Sequence, residues 1–453
     1  MATVTVANSA PCLRGLATLA RSLNSAGRII PQWQPLACVV SSGRRLGDNR
    51  LFQSSSQASS RPRMSYRIAV SSSGKGRRFS PDRNVCSFDP ETQDAIGLQQ
   101  GRNYLERKLS RPDSGEDAFF VSKIDHHPNA FAFGVADGVG GWTQSGVDPA
   151  DFSHSFCSYL AECALKWDAS AHELRARALM QMGYERTLAD RTIFAGSSTA
   201  CIGVACEDGT VQLANLGDSG SVLFRLAAVH HYSTPQTHDF NTPYQLSVMP
   251  PLIRMQSAIF GGRQYEDLPQ DANVTNYRLQ HGDVLLLATD GVYDNLNNQD
   301  ILTLVTGRMM ATGAWNGTAD MGIGVSDGLN ALTQPAGLSS AFSSLKSRPH
   351  SHRSRHHPHH HHHHHHHQQH ANPEQPSSAK AIDAHTRNHT LQALLAVTIA
   401  GEAKIASMDF RRDGPFAKES QRYRPWDHWR GGKPDDICVI VVIAVEEGRD
   451  VVD

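Results

Sequence analysis

Four aspartates stand in short motifs whose composition could do chemistry: Gly115-Glu116-Asp117-Ala118, Val135-Ala136-Asp137-Gly138, Ala288-Thr289-Asp290-Gly291 and Pro434-Asp435-Asp436-Ile437. Three of these motifs adjoin apolar runs that read as strands. Carboxylates brought together at the ends of separate buried strands repel one another unless a cation lies between them. Donor sets made only of oxygen suit hard ions such as Mg2+ or Mn2+. Two such ions, about 3.5–4 Å apart, acidify a bridging water and clamp an in-line displacement at phosphorus. A two-metal centre for hydrolysis of a phosphate ester is therefore the first expectation.

Within that centre the residues take different parts. Asp137 is the expected bridging ligand, and Gly138 lets the backbone come close enough for its carbonyl to join it. Asp290 and Asp435 are expected to flank the second ion, with Asp137 and Asp290 as the catalytic acids. Asp117 or Glu116 would act through coordinated water. Asp294 falls on the same face as Asp290 if a helical turn follows, and Asp218 of Leu216-Gly217-Asp218-Ser219 is a second candidate, so either could serve a third, weaker ion. Taken singly, an Asp-Gly at a strand end is more often a turn than a ligand; the weight lies in the joint occurrence.

Other chemistries find less support. Nine consecutive histidines (359–367), among fourteen between 350 and 370, can chelate soft or borderline ions but have no fixed geometry. A metal-storing or metal-sensing protein centred on that tract is the least favoured reading. No Gly-x-Ser-x-Gly elbow occurs, and Gly138–Gly141 lacks the Gly-Lys-Ser/Thr of a phosphate-binding P-loop. Eight scattered cysteines include no Cys-x-x-Cys, so reduced structural thiols are expected.

The elements that must position the acids can be read from periodicity. Ala130–Ala136 is an apolar strand running into Asp137-Gly138. A helix after Asp148-Pro149 carries Phe152, Phe156, Leu160 and Cys163 at helical spacing. Residues 199–204, 211–216 and 221–226 read as three strands of a meander, separated by Asp208-Gly209 and Gly217-Asp218 turns. Val284–Thr289 is a buried strand, a helix follows from Asn298 to Arg308, an apolar helical pattern resumes over 389–410, and Ile437–Val445 is a closing strand. The order of strands, helices and strands predicts an α+β fold.

The chain has 453 residues and a formal net charge of −1, but the charge is unevenly spread. Residues 1–81 hold eleven Arg, one Lys and the single acid Asp48, so the remainder carries roughly −12 by difference. A body that acidic disfavours nucleic acid as a partner. Arg14, Arg21 and Arg28 recur at sevens in a Ser-rich, acid-poor stretch, the composition of a mitochondrial transit peptide. Residues 1–81 are thus expected to be targeting segment and linker, with 53–78 disordered and the folded body starting near 88. The stretch 308–385, rich in Gly, Ser, Pro and His, is expected to be a disordered insertion. No run of 18 apolar residues exists, so no transmembrane helix is predicted.

The motifs also carry a resemblance. Glu116-Asp117-Ala118, Val135-Ala136-Asp137-Gly138-Val139-Gly140-Gly141-Trp142, Gly196-Ser197-Ser198-Thr199-Ala200, Asn215-Leu216-Gly217-Asp218-Ser219, Ala288-Thr289-Asp290-Gly291-Val292-Tyr293-Asp294-Asn295 and Gly432-Lys433-Pro434-Asp435-Asp436-Ile437 occur in order. Together they resemble the metal-dependent protein serine/threonine phosphatase 2C family over about 88–450, and its mitochondrial PTC-seven-like branch in particular. The resemblance implies a central antiparallel β-sandwich flanked by helices. It implies two Mn2+ or Mg2+ ions, with a third optional, and attack of metal-bridging water on phosphoserine or phosphothreonine of mitochondrial matrix proteins. A monomer is the expected state. Two positions depart from the family pattern. Pro112 stands where many members have a phosphate-gripping Arg, with Arg111 beside it, and Val139 stands where many have His. A catalytically inactive phosphatase-like binding module is the alternative, disfavoured because every matched acid is retained.

Overall fold

The computed structural model describes residues 63–260, 265–340 and 389–448. The expected transit segment before residue 63 and the His tract lie outside the described residues. Two six-stranded sheets, each antiparallel throughout, form the centre. The first has the order β9-β8-β11-β12-β1-β2, where β1 is Met64–Ser73, β2 Val85–Phe88, β8 Gly220–Arg225, β9 Ala228–Tyr232, β11 Val284–Ala288 and β12 Ile437–Glu446. The second has the order β10-β7-β6-β5-β4-β3, where β3 is Ala95–Ile96, β4 Asp117–Ile124, β5 His127–Asp137, β6 Ala200–Ala205, β7 Thr210–Leu216 and β10 Asn273–Arg278.

Alternation along the strands explains the layering, because successive side chains point to opposite faces of a sheet. From β12, Cys438, Ile440 and Val442 face the second sheet and meet Phe119, Val121, Phe133 and Val135 in one core. Its other face, Val439, Val441 and Ile443, packs under two helices, α3 (Asn298–Ala311) and α4 (Leu391–Ser407). On the far side, Ala118, Phe120, Ala132 and Ile202 pack under α1 (Pro149–Leu165) and α2 (Ala176–Ala189). The result is helix, sheet, sheet, helix, the α+β sandwich expected. β12 is apolar on both faces because both are covered.

Three expectations need correction. The folded body begins by Met64, well before residue 88, because β1 lies between β12 and β2 and pairs with β12 over ten residues. Tyr66, Ile68 and Val70 are buried in the inter-sheet core; burying three such side chains contributes roughly 5–9 kcal/mol. The chain from 308 to 340 is also ordered. α3 runs on to Ala311, Trp315 is fully buried with Nε1 donating to the Gly282 carbonyl at 3.2 Å, and Leu329, Leu332 and Leu338 join the core. Finally, the three expected strands are not one meander. β6 and β7 pair in the second sheet, whereas β8 belongs to the first. The chain crosses between sheets at Gly217-Asp218, with Gly217 at φ +104°, a conformation open to glycine.

Candidate metal centre

Asp117 begins β4 and Asp137 ends β5, and the two are directly opposed in the strand register. The Asp117 carboxylate is buried and accepts a 2.7 Å hydrogen bond from the Thr289 hydroxyl at the end of β11. The Asp137 amide donates to Thr199 Oγ1 at 3.2 Å, and its carbonyl accepts from the Thr199 amide and the Ser198 hydroxyl. Gly138 is packed so that a Cβ there would press on the Glu116 and Pro149 carbonyls. Its amide donates to the Glu116 carbonyl at 3.1 Å.

From the first sheet, a single helical turn Asp290–Tyr293 follows β11, and the Asp294 amide donates to the Asp290 carbonyl at 2.7 Å. Asp290 and Asp294 therefore share a face, as the spacing predicted. Carboxylate oxygens of Asp290, Asp294 and Asp435 lie within 4.8 Å of one another. Gly291 admits the segment carrying Asp435, since a Cβ there would collide with the Asp436 carbonyl.

The electrostatics ties these acids into one cluster. Burial, then repulsion from Asp290, Asp117, Asp435 and Asp218, pushes Asp137 well above the usual carboxylate range. Asp117 is raised likewise, by burial and then Asp436. Asp218 and Glu116 are each pushed up to about 7, chiefly by burial and secondly by Asp290 and Asp436 respectively. Burial would raise Asp290 too, but Lys433 outweighs it and holds that carboxyl low, while Asp294 stays raised by burial.

All eight residues read from the sequence thus fall in or beside one region where the sheets meet. The donors are all oxygens, the acids are crowded, and among the described residues the buried Asp218 Oδ1 meets no hydrogen-bond donor. That donor set fits Mg2+ or Mn2+.

Sequence reasoning left several participants without a role. Lys433 places Nζ 2.7 Å from Asp290 Oδ2, 2.5 Å from Asp294 Oδ2 and 3.1 Å from Asp435 Oδ2. Burial would lower its pKa, but these three carboxylates keep it above the ordinary lysine range. Lys75, in the stretch read as linker, reaches within 3.5 Å of Asp435 Oδ1 and is 60% exposed. Asp436 accepts from the Lys75 amide through Oδ1 and from the Glu116 amide through Oδ2 at 2.7 Å, so it fastens the β1 loop to the Glu116–Asp117 loop. The Gly74 carbonyl on that loop accepts from Lys404 Nζ at 2.9 Å. Arg111, by contrast, is committed elsewhere: its guanidinium is 10% exposed and pairs with Asp148 and Asp151 at the start of α1.

The chain is also similar to known proteins. The family description "Protein phosphatase 2C" matches residues 107–322. A Drosophila simulans protein named "Protein phosphatase PTC7 homolog fig" is 39% identical over 233 residues, spanning 50% of this chain and 69% of the relative. The Saccharomyces cerevisiae protein "Protein phosphatase 2C homolog 7, mitochondrial" is 31% identical over 255 residues, spanning 56% and 72%. Among solved structures, that of the photosystem II phosphatase PBCP is 22% identical, covers 73% of this chain and 91% of that one, and superposes with a TM-score of 0.44. This chain belongs to the protein phosphatase 2C family, in its PTC7 branch, and is a metal-dependent protein serine/threonine phosphatase.

Proposed function

We propose that the acid cluster is the catalytic centre and would hold two Mn2+ or Mg2+ ions, with Asp137 as a ligand to them. Gly138 contributes beside it, Asp290 and Asp435 serve the second ion, and Glu116 and Asp117 act through water. When bound, the ions would neutralise the carboxylates and supply an acidified bridging water as nucleophile. The observation that carries this reading is the convergence of Asp117, Asp137, Asp218, Asp290 and Asp435 on one buried region, where burial and mutual repulsion raise three of them. Such crowding is unfavourable without a cation and is what a site built for ions requires.

The protein's own groups do the rest. Thr289 and Asp436 fix Asp117 and Glu116 in place. Lys75, exposed at the edge of the cluster on a pinned loop, is placed to meet the phosphate of a phosphoserine or phosphothreonine side chain. It supplies the cation that Pro112 lacks and that Arg111 spends on α1.

Mitochondrial proteins are the proposed substrates and the matrix the proposed compartment, with the protein acting as a monomer. The support for the mitochondrial assignment is the Arg-rich, acid-poor composition of residues 1–81 and the yeast relative's name. The test of activity is phosphate release from a phosphothreonine peptide by the full chain with Mn2+, abolished by chelation and restored by adding the ion back. A full chain inactive with every divalent ion tried would reject it. For the compartment, residues 1–81 fused to a fluorescent reporter should mark mitochondria; a diffuse cytosolic signal defeats that assignment.

A further inference from the structure

Two acids of the cluster, Asp137 and Asp218, lie on different segments, and one buried side chain ties those segments together. Thr199 directly precedes β6. The register that pairs Val135 with Cys201 and Gly138 with Ser198 sets Asp137 opposite Thr199. A hydrogen-bonded pair of this kind exchanges two backbone bonds. Here the Thr199 amide donates to the Asp137 carbonyl at 2.9 Å, but the Asp137 amide donates to the Thr199 hydroxyl at 3.2 Å. The Thr199 carbonyl accepts from the Ser198 hydroxyl at 2.8 Å. Thr199 Oγ1 also shares a 2.8 Å hydrogen bond with the hydroxyl of Ser219, the residue after Asp218. On the other side of Asp218, Gly217 is seated against the same side chain: a Cβ there would lie 2.7 Å from the Thr199 methyl. Thr199 and Ser219 are both buried. One threonine therefore meets the backbone of Asp137 and both neighbours of Asp218, where the chain crosses from the second sheet to the first.

We propose that Thr199 is a positioning residue of the metal centre, holding Asp137 and Asp218 at a fixed separation through its hydroxyl. The proposal rests on the reading given above, in which Asp137 is an ion ligand. The two carboxylates repel one another. Without an ion, their approach has to be maintained by the segments that carry them. A hydroxyl that accepts from one backbone and bonds to a side chain of the other segment does this without adding charge. Groups that orient metal ligands in this way typically account for about 10–100-fold in metal affinity. Serine at this position keeps the hydroxyl, whereas valine keeps the shape and loses both bonds.

The test follows Mn2+ binding to the full chain by electron paramagnetic resonance, alongside phosphate release from a phosphothreonine peptide. Thr199→Val should weaken Mn2+ binding by about tenfold or more. It should raise the Mn2+ needed for half-maximal activity to match, with KM for the peptide at saturating Mn2+ changing less. Thr199→Ser should keep the wild-type Mn2+ affinity. Ser219→Ala spares the bond from the Asp137 amide and should weaken Mn2+ binding by less than Thr199→Val; it keeps the proposal testable if Thr199→Val does not fold. An unchanged Mn2+ affinity in Thr199→Val or in Ser219→Ala, whatever its melting temperature, overturns the positioning role, as does a Thr199→Ser chain that binds as weakly as Thr199→Val. A wild type that binds no Mn2+ instead rejects the reading on which the proposal stands.

Discussion

Asp117 and Asp137 face each other across the antiparallel pair β4–β5, one opening its strand and the other closing its neighbour. Like charges directly opposite on adjacent strands oppose pairing, and a cation at the end of the strand pair would relieve that repulsion. Replacing one partner by its neutral isostere should relieve that repulsion when metal is absent. With a chelator present, Asp117→Asn should be more stable than wild type by about 1 kcal/mol, while its Mn2+ affinity falls. Chemical denaturation with and without Mn2+ reads both effects; a less stable chelated variant would contradict the repulsion argument.

Lys75 is an exposed cation 3.5 Å from Asp435 Oδ1, on a loop held by Asp436 and Lys404. If it meets the substrate phosphate, Lys75→Ala should raise KM for a phosphothreonine peptide about tenfold, equivalent to ~1.4 kcal/mol, with a smaller change in kcat. Steady-state kinetics at saturating Mn2+ decides this. An unchanged KM would mean that the phosphate is held without Lys75.

Gly115 has φ +75°, and a side chain there would run into the Asp436 carboxylate. That carboxylate joins the Lys75 loop to Glu116, so disturbing it moves both. Gly115→Ala should cost about 1–3 kcal/mol of stability and raise the Mn2+ concentration needed for half-maximal activity. Thermal melting paired with an Mn2+ titration tests it, and a variant indistinguishable from wild type in both would refute it.

His154, on α1, is buried with Nε2 3.2 Å from the Gly115 carbonyl and, among the described residues, no partner for Nδ1. Burial, and secondly Arg111, push its pKa from 6.5 down to about 4. Between those values the unfolded chain binds a proton that the folded protein does not. The stability conferred by neutral His154 is therefore complete above pH 6.5 and is lost as pH falls toward 4, by roughly 3 kcal/mol at the limit. His154→Gln should flatten the decline of stability between pH 6.5 and 4 relative to wild type. Parallel slopes for the two proteins would exclude the assignment.

How much of this was legible in the sequence depended on whether local pattern and composition agreed. Asp137, Asp290 and Asp435 stand beside apolar runs that are β-strands in the fold, so type and place were readable together. Asp294 followed from helical spacing alone. β1 was missed because its alternation of Tyr66, Ile68 and Val70 sits in a stretch whose Arg and Ser content reads as linker; the burial comes from β12, whose paired residues lie 364 to 382 positions away in sequence. Lys75 was lost with it. Lys433 was visible within its motif, but its contacts with Asn295 and with three carboxylates from two segments are set by the fold. Trp315 stood in a Gly- and Ala-rich region that no periodicity marked, and its partner is the Gly282 carbonyl. β8 was found as a strand but assigned to the wrong sheet, since a two-residue Gly-Asp turn looks the same whether it returns the chain or sends it across the sandwich.

The central claim is that the gathered acids hold divalent ions for hydrolysis of phosphoserine and phosphothreonine. The most direct measurement is the rate of phosphate release from a phosphothreonine peptide by the full chain and by Asp137→Asn across an Mn2+ titration. Wild type should depend on Mn2+ and saturate with it, and Asp137→Asn should be slower by at least about a hundredfold at every concentration, since it removes an acid of the proposed metal site. Equal rates for the two proteins, or wild-type activity that persists without a divalent ion, would contradict the account.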